Sequence, residues 1–424
     1  MNDRSASDSI LRGLCDTLDD LEALYKDIHS HPELSLQETR TAGLAAERLS
    51  AAGYEVTEQI GGTGVVGLLK NGDGPTVMLR ADMDALPVKE DTGLPYASTV
   101  TASGADGSET PVMHACGHDI HVTWLAGASA LFAEARDAWR GTLMAVFQPA
   151  EEVAAGARAM IDDGLFDRFP KPDVILGQHV MPMSAGIIAS RTGVVTSAGD
   201  SFEIRMFGRG AHGSMPQASI DPVVMAASTV LRLQTIVSRE VGPSDSAVVT
   251  VGALQAGTKE NVIPDEAVIK LNVRTFDEDV RQRVLDAITR IVNAESEASG
   301  APKPPEITPL DRYDLVRNDE QATARVRDAL RSHFGDQRVI QTGPASASED
   351  FGSFGVEWHV PSAFWFVGSS PSLPAAFAFA YRSGSVPPTN QNTDGDFHSA
   401  PKVPKSSLAD VGSPSSTRSA AKCR

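Results

Sequence analysis

The sequence predicts an α/β protein, a sheet covered by helices, with a second and smaller α+β unit following in the chain. Short β-branched runs alternate with helical stretches through the first half, and a new series of elements begins near Ser197. A chain of 424 residues also exceeds what one hydrophobic core ordinarily organises.

The elements follow in order. Leu11, Leu14, Leu18, Leu21, Leu24 and Ile28, then Leu44, Ala45 and Leu49, recur at helical spacing and are interrupted at His31-Pro32, which predicts two helices around a turn. The period then shortens. YEVTEQI, TGVVGLLK, PTVMLRADMD, TLMAVFQPAEE and DVILGQHV are apolar or β-branched runs bounded by Gly, Pro, Asn or Asp, and read as strands, with helices around 119–137 and 153–164. From Ser197 the order is a strand in DSFEIRMFG, a helix over 220–240, strands in AVVTVGALQAG and EAVIKLNVRTFD, and a helix over 277–298 carrying Val280, Val284, Leu285, Ile288 and Ile291 on one face. SGAPKPPEITP closes this module, which has the size of a small domain. A helix over 320–334 and the segments after it return to the first unit. The expected division is therefore residues 1–196 plus 311–400, an inserted unit at 197–310, and a polar Ser- and Lys-rich tail at 401–424 that is disordered or altered in the source sequence.

Composition removes several functions. A formal net charge of -18 argues against nucleic acid as a partner. No segment is apolar and long enough to span a bilayer, and MNDRSASDSILRGLCDTLDDLEALY has no apolar leader core, so the expectation is a cytoplasmic protein with no membrane partner. The three cysteines, Cys15, Cys116 and Cys423, are odd in number and far apart, which does not make a disulfide framework. GTGVVG, residues 62–67, fits a dinucleotide-binding pattern, but the pattern works only between a strand and a helix N-terminus. Asn71-Gly72 and Asp73-Gly74 lead instead into another strand, so a hairpin is expected there.

The chemistry gathers in PVMHACGHDIHV, which holds His114, Cys116, His118, Asp119 and His121. Other potential ligands sit at predicted strand ends: Asp82 and Asp84 in RADMDALP, Glu151 and Glu152 in FQPAEE, His179 in GQHV, with His398 in a late HSAP. Segments far apart in an open α/β sheet converge outside the carboxyl ends of its strands. Singly, each residue has a structural reading: a hydrogen-bonded histidine, a turn-capping aspartate, a solvated helix start. Together, thiol, imidazole and carboxylate suit a pair of divalent cations, zinc or its neighbours manganese, cobalt and nickel. Adjacent glutamates then divide the work, one holding metal and one serving as base. A nucleophilic Cys116 is the competing reading, but it leaves the carboxylates without a task.

MHACGHDIH, RADMDALP, FQPAEE, GARAMIDDGLF, GRGAHGSMP, NVIPDEA, VRTFD and SEDF, in this order, resemble the di-metal amidohydrolases that include hippurate hydrolase, N-acyl-amino-acid amidohydrolases and auxin-conjugate hydrolases. The resemblance spans roughly residues 20–370 in many separate motifs. It implies a zinc-peptidase-like catalytic domain, a mixed sheet flanked by helices, with an inserted ferredoxin-like lid that mediates homodimerisation. By motif it implies two divalent ions held by Cys116, His118, Glu152 and His179, with Glu151 as general base and acid. Asp84 would orient a ligand histidine, His212 would stabilise the oxyanion, and Asn261 and Arg274 would bind the substrate's carboxylate and backbone. The implied substrate is an N-acyl amino acid; a carboxypeptidase or dipeptidase with the same centre is the alternative. The family pattern ends on an Asn-His segment that supplies a last ligand. Here Gln391 follows the Asn and His398 comes several residues late, which makes His398 the candidate fifth ligand and a catalytically impaired relative a further alternative.

Overall fold

The computed structural model describes residues 3–104 and 107–370. Its first unit is an eight-stranded mixed sheet with helices on both faces. Helix α1 (Leu14–Ser30) stops where His31 precedes Pro32, since a residue before proline is disfavoured in helical conformation, and α2 (Thr39–Ala51) follows. Strands β1 (Glu55–Ile60), β2 (Gly64–Asn71) and β3 (Thr76–Asp82) come next, then helix α3 (His118–Glu134). Strand β4 (Gly141–Gln148), helix α4 (Gly156–Asp162) and strands β5 (Val174–Ser184) and β6 (Ile188–Ser190) complete the first pass.

The second unit begins with β7 (Ala198–Phe207), close to the Ser197 expected from sequence, and continues through α5 (Pro222–Thr235), β8 (Ala247–Ala256), β9 (Glu266–Thr275), α6 (Glu278–Ala298) and β10 (Glu306–Tyr313). Its sheet runs β8-β9-β7-β10, all antiparallel. Strand β10 extends the expected order by one element, and the boundary drawn at residue 310 falls inside it. Ala267, Ile269, Leu271 and Val273 alternate along β9 and bury against Met225, Ala226 and Leu233 of α5 and Val280, Val284, Ile288 and Ile291 of α6. Asp221 and Asp277 cap those helices through backbone N–H groups. The chain then returns to the first unit through α7 (Glu320–Phe334), β11 (Val339–Gln341), α8 (Gly352–Trp358) and β12 (Ser362–Ser370).

The large sheet has the order β1-β2-β4-β3-β5-β12-β6-β11. One expectation is corrected here. Strands β2 and β3 form no hairpin across Asn71–Gly74, because β4 lies between them, antiparallel to β2 and parallel to β3. The hairpin lies one connection earlier, between β1 and β2, with Gly62 and Thr63 of GTGVVG in its turn. No helix follows that turn, so the dinucleotide motif has no structural counterpart.

Both faces of the sheet are covered, as β4 shows by itself. Leu143, Ala145 and Phe147 pack beneath α1, α2 and α3 with Leu24, Ile28, Leu49, Val122 and Leu125, whereas Met144 and Val146 join Met160, Phe351, Phe354 and Phe364 on the other face. A strand buried on both sides reads as a continuous apolar run, which is how TLMAVF was recognised. Strands β3, β4, β5 and β12 are mutually parallel, so their carboxyl ends open on one edge of the sheet.

Candidate metal centre

That edge carries the acidic and histidine motifs. Strand β3 ends at Asp82, and Asp84 follows two residues later, both fully buried. Strand β4 ends at Gln148 and leads into Pro149, Ala150, Glu151 and Glu152. Ala150 holds a left-handed φ of 50°, unusual for alanine, and its N–H donates to Glu38 Oε1 at 2.8 Å. The buried Glu38 also accepts from Thr63 Oγ1 and the Leu36 N–H, which pins the turn that aims Glu151 and Glu152. Tyr313 at the end of β10 donates its hydroxyl to the Glu151 carbonyl at 3.1 Å, so the second unit braces this turn.

Helix α3 brings up the remaining donors. Gly117, at its N-cap, has φ 83°, and a Cβ there would lie 2.5 Å from Val180 Cγ2. Only glycine satisfies both conditions, and this close approach sets Cys116 against His179, with Sγ 3.4 Å from Nε2. His118 donates Nδ1–H to Asp84 Oδ1 at 3.1 Å, which leaves Nε2 3.6 Å from Asp82 Oδ2 and 3.9 Å from Glu152 Oε1. His179 donates Nδ1–H to the Val180 carbonyl, leaving Nε2 facing the thiol. Asp84 accepts also from the Glu152 N–H at 3.0 Å and so ties two of the predicted ligand residues together.

These donors fit divalent cations. Metal-binding histidines characteristically donate the second ring N–H to a carboxylate or carbonyl, as both His118 and His179 do. His118 Nε2 and Glu152 Oε1 are buried, and among the described residues neither has a hydrogen-bond partner. Cys116, His118 and His179 offer ligand atoms within 4.8 Å of one another, and so do His118, Glu151 and Glu152. The two groups share His118 and form one continuous patch.

Burial pushes the Cys116 thiol and the Glu152 carboxyl up and drives His179 down to about 3. His118 goes the other way: burial opposes its charge, but Asp82 and Asp84 outweigh that and hold it well above an ordinary histidine. A divalent cation reverses this logic, because a coordinated thiol is held deprotonated. Glu151 is raised well above the usual carboxylate range by burial and by Glu349 and Asp350.

His121 is not a free donor: its Nδ1 meets Asp82 Oδ1 at 2.5 Å and its Nε2 accepts from the Val180 N–H at 2.9 Å. Asp119 meets His29 Nδ1 at 2.6 Å. His114 is buried, and burial pushes it down to about 4.

Sequence reading missed Arg80, which is buried in β3 and bonds Gln148, Asp82, Glu349 and Asp350. An arginine inside the apolar run VMLRAD was the available signal, since an arginine is seldom buried without carboxylate partners. Among the described residues, His212 of the second unit joins none of the candidate metal-ligand groups. His212 is exposed on the short strand Ala211–His212, its Nδ1 2.8 Å from Ser214 Oγ, and the Gly213 N–H donates to the Asn261 carbonyl, so His212 and Asn261 share one exposed ribbon. Arg274 is half-buried and donates to the Ser346 carbonyl and Ser348 Oγ, just before Glu349. His398 and the tail expected at 401–424 lie outside the described residues.

Residues 78–377 match the family described as peptidase family M20/M25/M40. The chain is 39% identical over 349 residues to a hippurate hydrolase of Campylobacter jejuni, covering 82% of this chain and 88% of that protein. It is 38% identical over 358 residues to an N-acetyl-L-cysteine deacetylase of Bacillus subtilis, covering 82% and 80%. Among solved structures it is similar to a Bacillus subtilis protein described as a dinuclear metal binding peptidase from the M20 family, with 32% identity, a TM-score of 0.67, and coverage of 83% of this chain and 88% of that one.

Proposed function

We propose, on the footing that this chain belongs to peptidase family M20/M25/M40, that it is a metal-dependent amidohydrolase cleaving N-acyl amino acids to a carboxylic acid and a free amino acid. The observation that carries the chemistry is the pair His118 and His179, each with one nitrogen tied to a protein acceptor and the other turned toward thiol or carboxylate donors. The relatives acting on hippurate and N-acetyl-cysteine support the substrate class.

Cys116, His118, Glu152 and His179 would hold two divalent ions, zinc, manganese, cobalt or nickel. When bound, such ions polarise an amide carbonyl and acidify water. Glu151, kept receptive to a proton by burial and by Glu349 and Asp350, takes the proton from the attacking water and returns it to the leaving amine. Asp84 holds His118 in the tautomer whose Nε2 is free and fixes Glu152 through its backbone. Arg274 and Asn261 bind the amino-acid carboxylate, for which a guanidinium is suited by bidentate pairing. His212 stabilises the oxyanion from across a homodimer formed through the second unit; its exposure beside Asn261 supports that role.

The test is release of free amino acid from hippurate and N-acetyl-methionine after chelation and re-addition of each metal. Activity returns with metal, and Glu151→Gln retains full metal content while kcat falls by about 10²–10⁴-fold, the contribution of a positioned acid–base group. A Glu151→Gln protein that binds metal normally and keeps wild-type kcat removes Glu151 from the reaction.

A further inference from the structure

We propose that Glu38 is a positioning residue for the proposed base Glu151, and that Thr63 of the GTGVVG hairpin holds Glu38 in that role. The assignment rests on the amidohydrolase reading and deepens it, naming what keeps the base aimed and giving the hairpin motif a task.

Glu38 stands at the N-cap of α2, yet its side chain makes no cap. Glu33 does that work, accepting from the Arg40 and Thr41 N–H groups at 2.8 Å each. The Glu38 carboxylate, fully buried, is left for residues outside its helix. Its Oε1 accepts from the Leu36 N–H at 2.9 Å and the Ala150 N–H at 2.8 Å, and its Oε2 from Thr63 Oγ1 at 2.6 Å. Leu36 and Ala150 hold left-handed φ values of 66° and 50°, which side chains other than glycine seldom adopt and which persist where the surroundings enforce them. One carboxylate oxygen thus satisfies two such residues.

Ala150 is fully buried and immediately precedes Glu151. Downstream, the turn has anchors of its own: Tyr313 holds the Glu151 carbonyl and Asp84 holds the Glu152 N–H. Glu38 is the upstream anchor, and the Glu151 side chain lies between the two. An apolar residue at position 38 leaves the buried Ala150 N–H unpaired, a cost the turn relieves by rotating the peptide before Ala150 and swinging Glu151 out of line. Glu152, tied to Asp84, stays in place, so the rate falls while metal is kept.

Full-length, manganese-loaded Glu38→Leu is assayed on hippurate and N-acetyl-methionine beside Glu38→Gln, Thr63→Val and Glu151→Gln. Glu38→Leu is expected to lose about 10²-fold in kcat, the cost of about 1 Å of misplacement, with KM and metal content near wild type. Glu38→Gln restores most of the rate, because its amide oxygen accepts from both N–H groups and its NH2 meets the Thr63 hydroxyl. Thr63→Val loses up to about tenfold, the scale of one hydrogen bond. In the Glu151→Gln background Glu38→Leu costs no further rate, since groups that act through one residue are not additive. An equal fold-loss in both backgrounds makes Glu38 a general structural residue and overturns the proposal. So does a folded Glu38→Leu protein with wild-type kcat or with its metal lost, and so does a Glu38→Gln protein as slow as Glu38→Leu. Should Glu38→Leu be insoluble, Thr63→Val takes its place in the same comparison. No release by the wild type from either substrate overturns the amidohydrolase reading beneath it.

Discussion

Replacing Asp84 by asparagine tests how the donors are held. Asp84 is 1% exposed, and each of its neighbours is a donor. Oδ1 accepts from His118 Nδ1 at 3.1 Å, and Oδ2 accepts from Ser35 Oγ at 2.7 Å and from the Glu152 N–H at 3.0 Å. Burial works against its charge, but these donors, His118 foremost, hold its pKa below the ordinary carboxylate value. Asparagine has nearly the same shape and turns one acceptor into a donor. If the amide nitrogen takes the Oδ2 side, it opposes the Glu152 N–H and loosens that ligand's backbone. If it takes the Oδ1 side, His118 must move its proton to Nε2, the atom that faces Glu152 and Asp82. Either outcome damages a metal donor. Loss of such a supporting group weakens metal binding by about 10–100-fold, or about 1.4–2.8 kcal/mol at 1.4 kcal/mol per tenfold. Because Asp84 supports two of the proposed ligand residues at once, the upper end is expected. The assay is equilibrium dialysis against buffered zinc or manganese with metal analysis, and circular dichroism establishes the fold. A folded Asp84→Asn protein whose metal Kd stays within twofold of wild type refutes the reasoning.

Two further outcomes concern stability. Arg281, 2% exposed, forks onto Asp200 through Nε and NH2 at 2.9 and 2.8 Å, so Arg281→Met strands a buried carboxylate and costs about 3–5 kcal/mol. Adding Asp200→Leu recovers most of that loss in urea unfolding; an equally unstable double variant counts against the stranded charge as the cause. Burial opposes the charge on His29, but its bonds to Asp119 and Glu90 outweigh that and raise its pKa. The stabilisation is therefore fully present below the unfolded value of about 6.5 and is lost as pH rises through the folded value. Urea midpoints of wild type measured upward from pH 5 should show this decline, and His29→Gln should flatten it; parallel curves reject the assignment.

The fold was legible wherever its signal was local. The apolar alternation in EAVIKLNV and the unbroken run TLMAVF depend only on which faces are buried, so β9 and β4 were recognised. The pairing of β2 was misread because the turn residues Asn71–Gly74 report a change of direction and not the partner, which is the later strand β4. In the site, RADMD showed two carboxylates without separating their tasks: Asp82 meets Arg80 and His121, while Asp84 orients His118 and Glu152. SEDF was noticed as a motif but had no task until Arg80 linked Glu349 and Asp350 to the same buried network.

By itself the sequence determined the classes of element and the kinds of donor, because periodicity and side-chain chemistry belong to residues near one another in the chain. Only the tertiary structure decided which donors are available. His121 is tied at both nitrogens to carboxylate and backbone, His118 at one, His179 at one with its other nitrogen against the Cys116 thiol, and His114 at neither among the described residues. The groups that bind those nitrogens come largely from other strands, and a histidine's free nitrogen is defined by the partner that takes its neighbour.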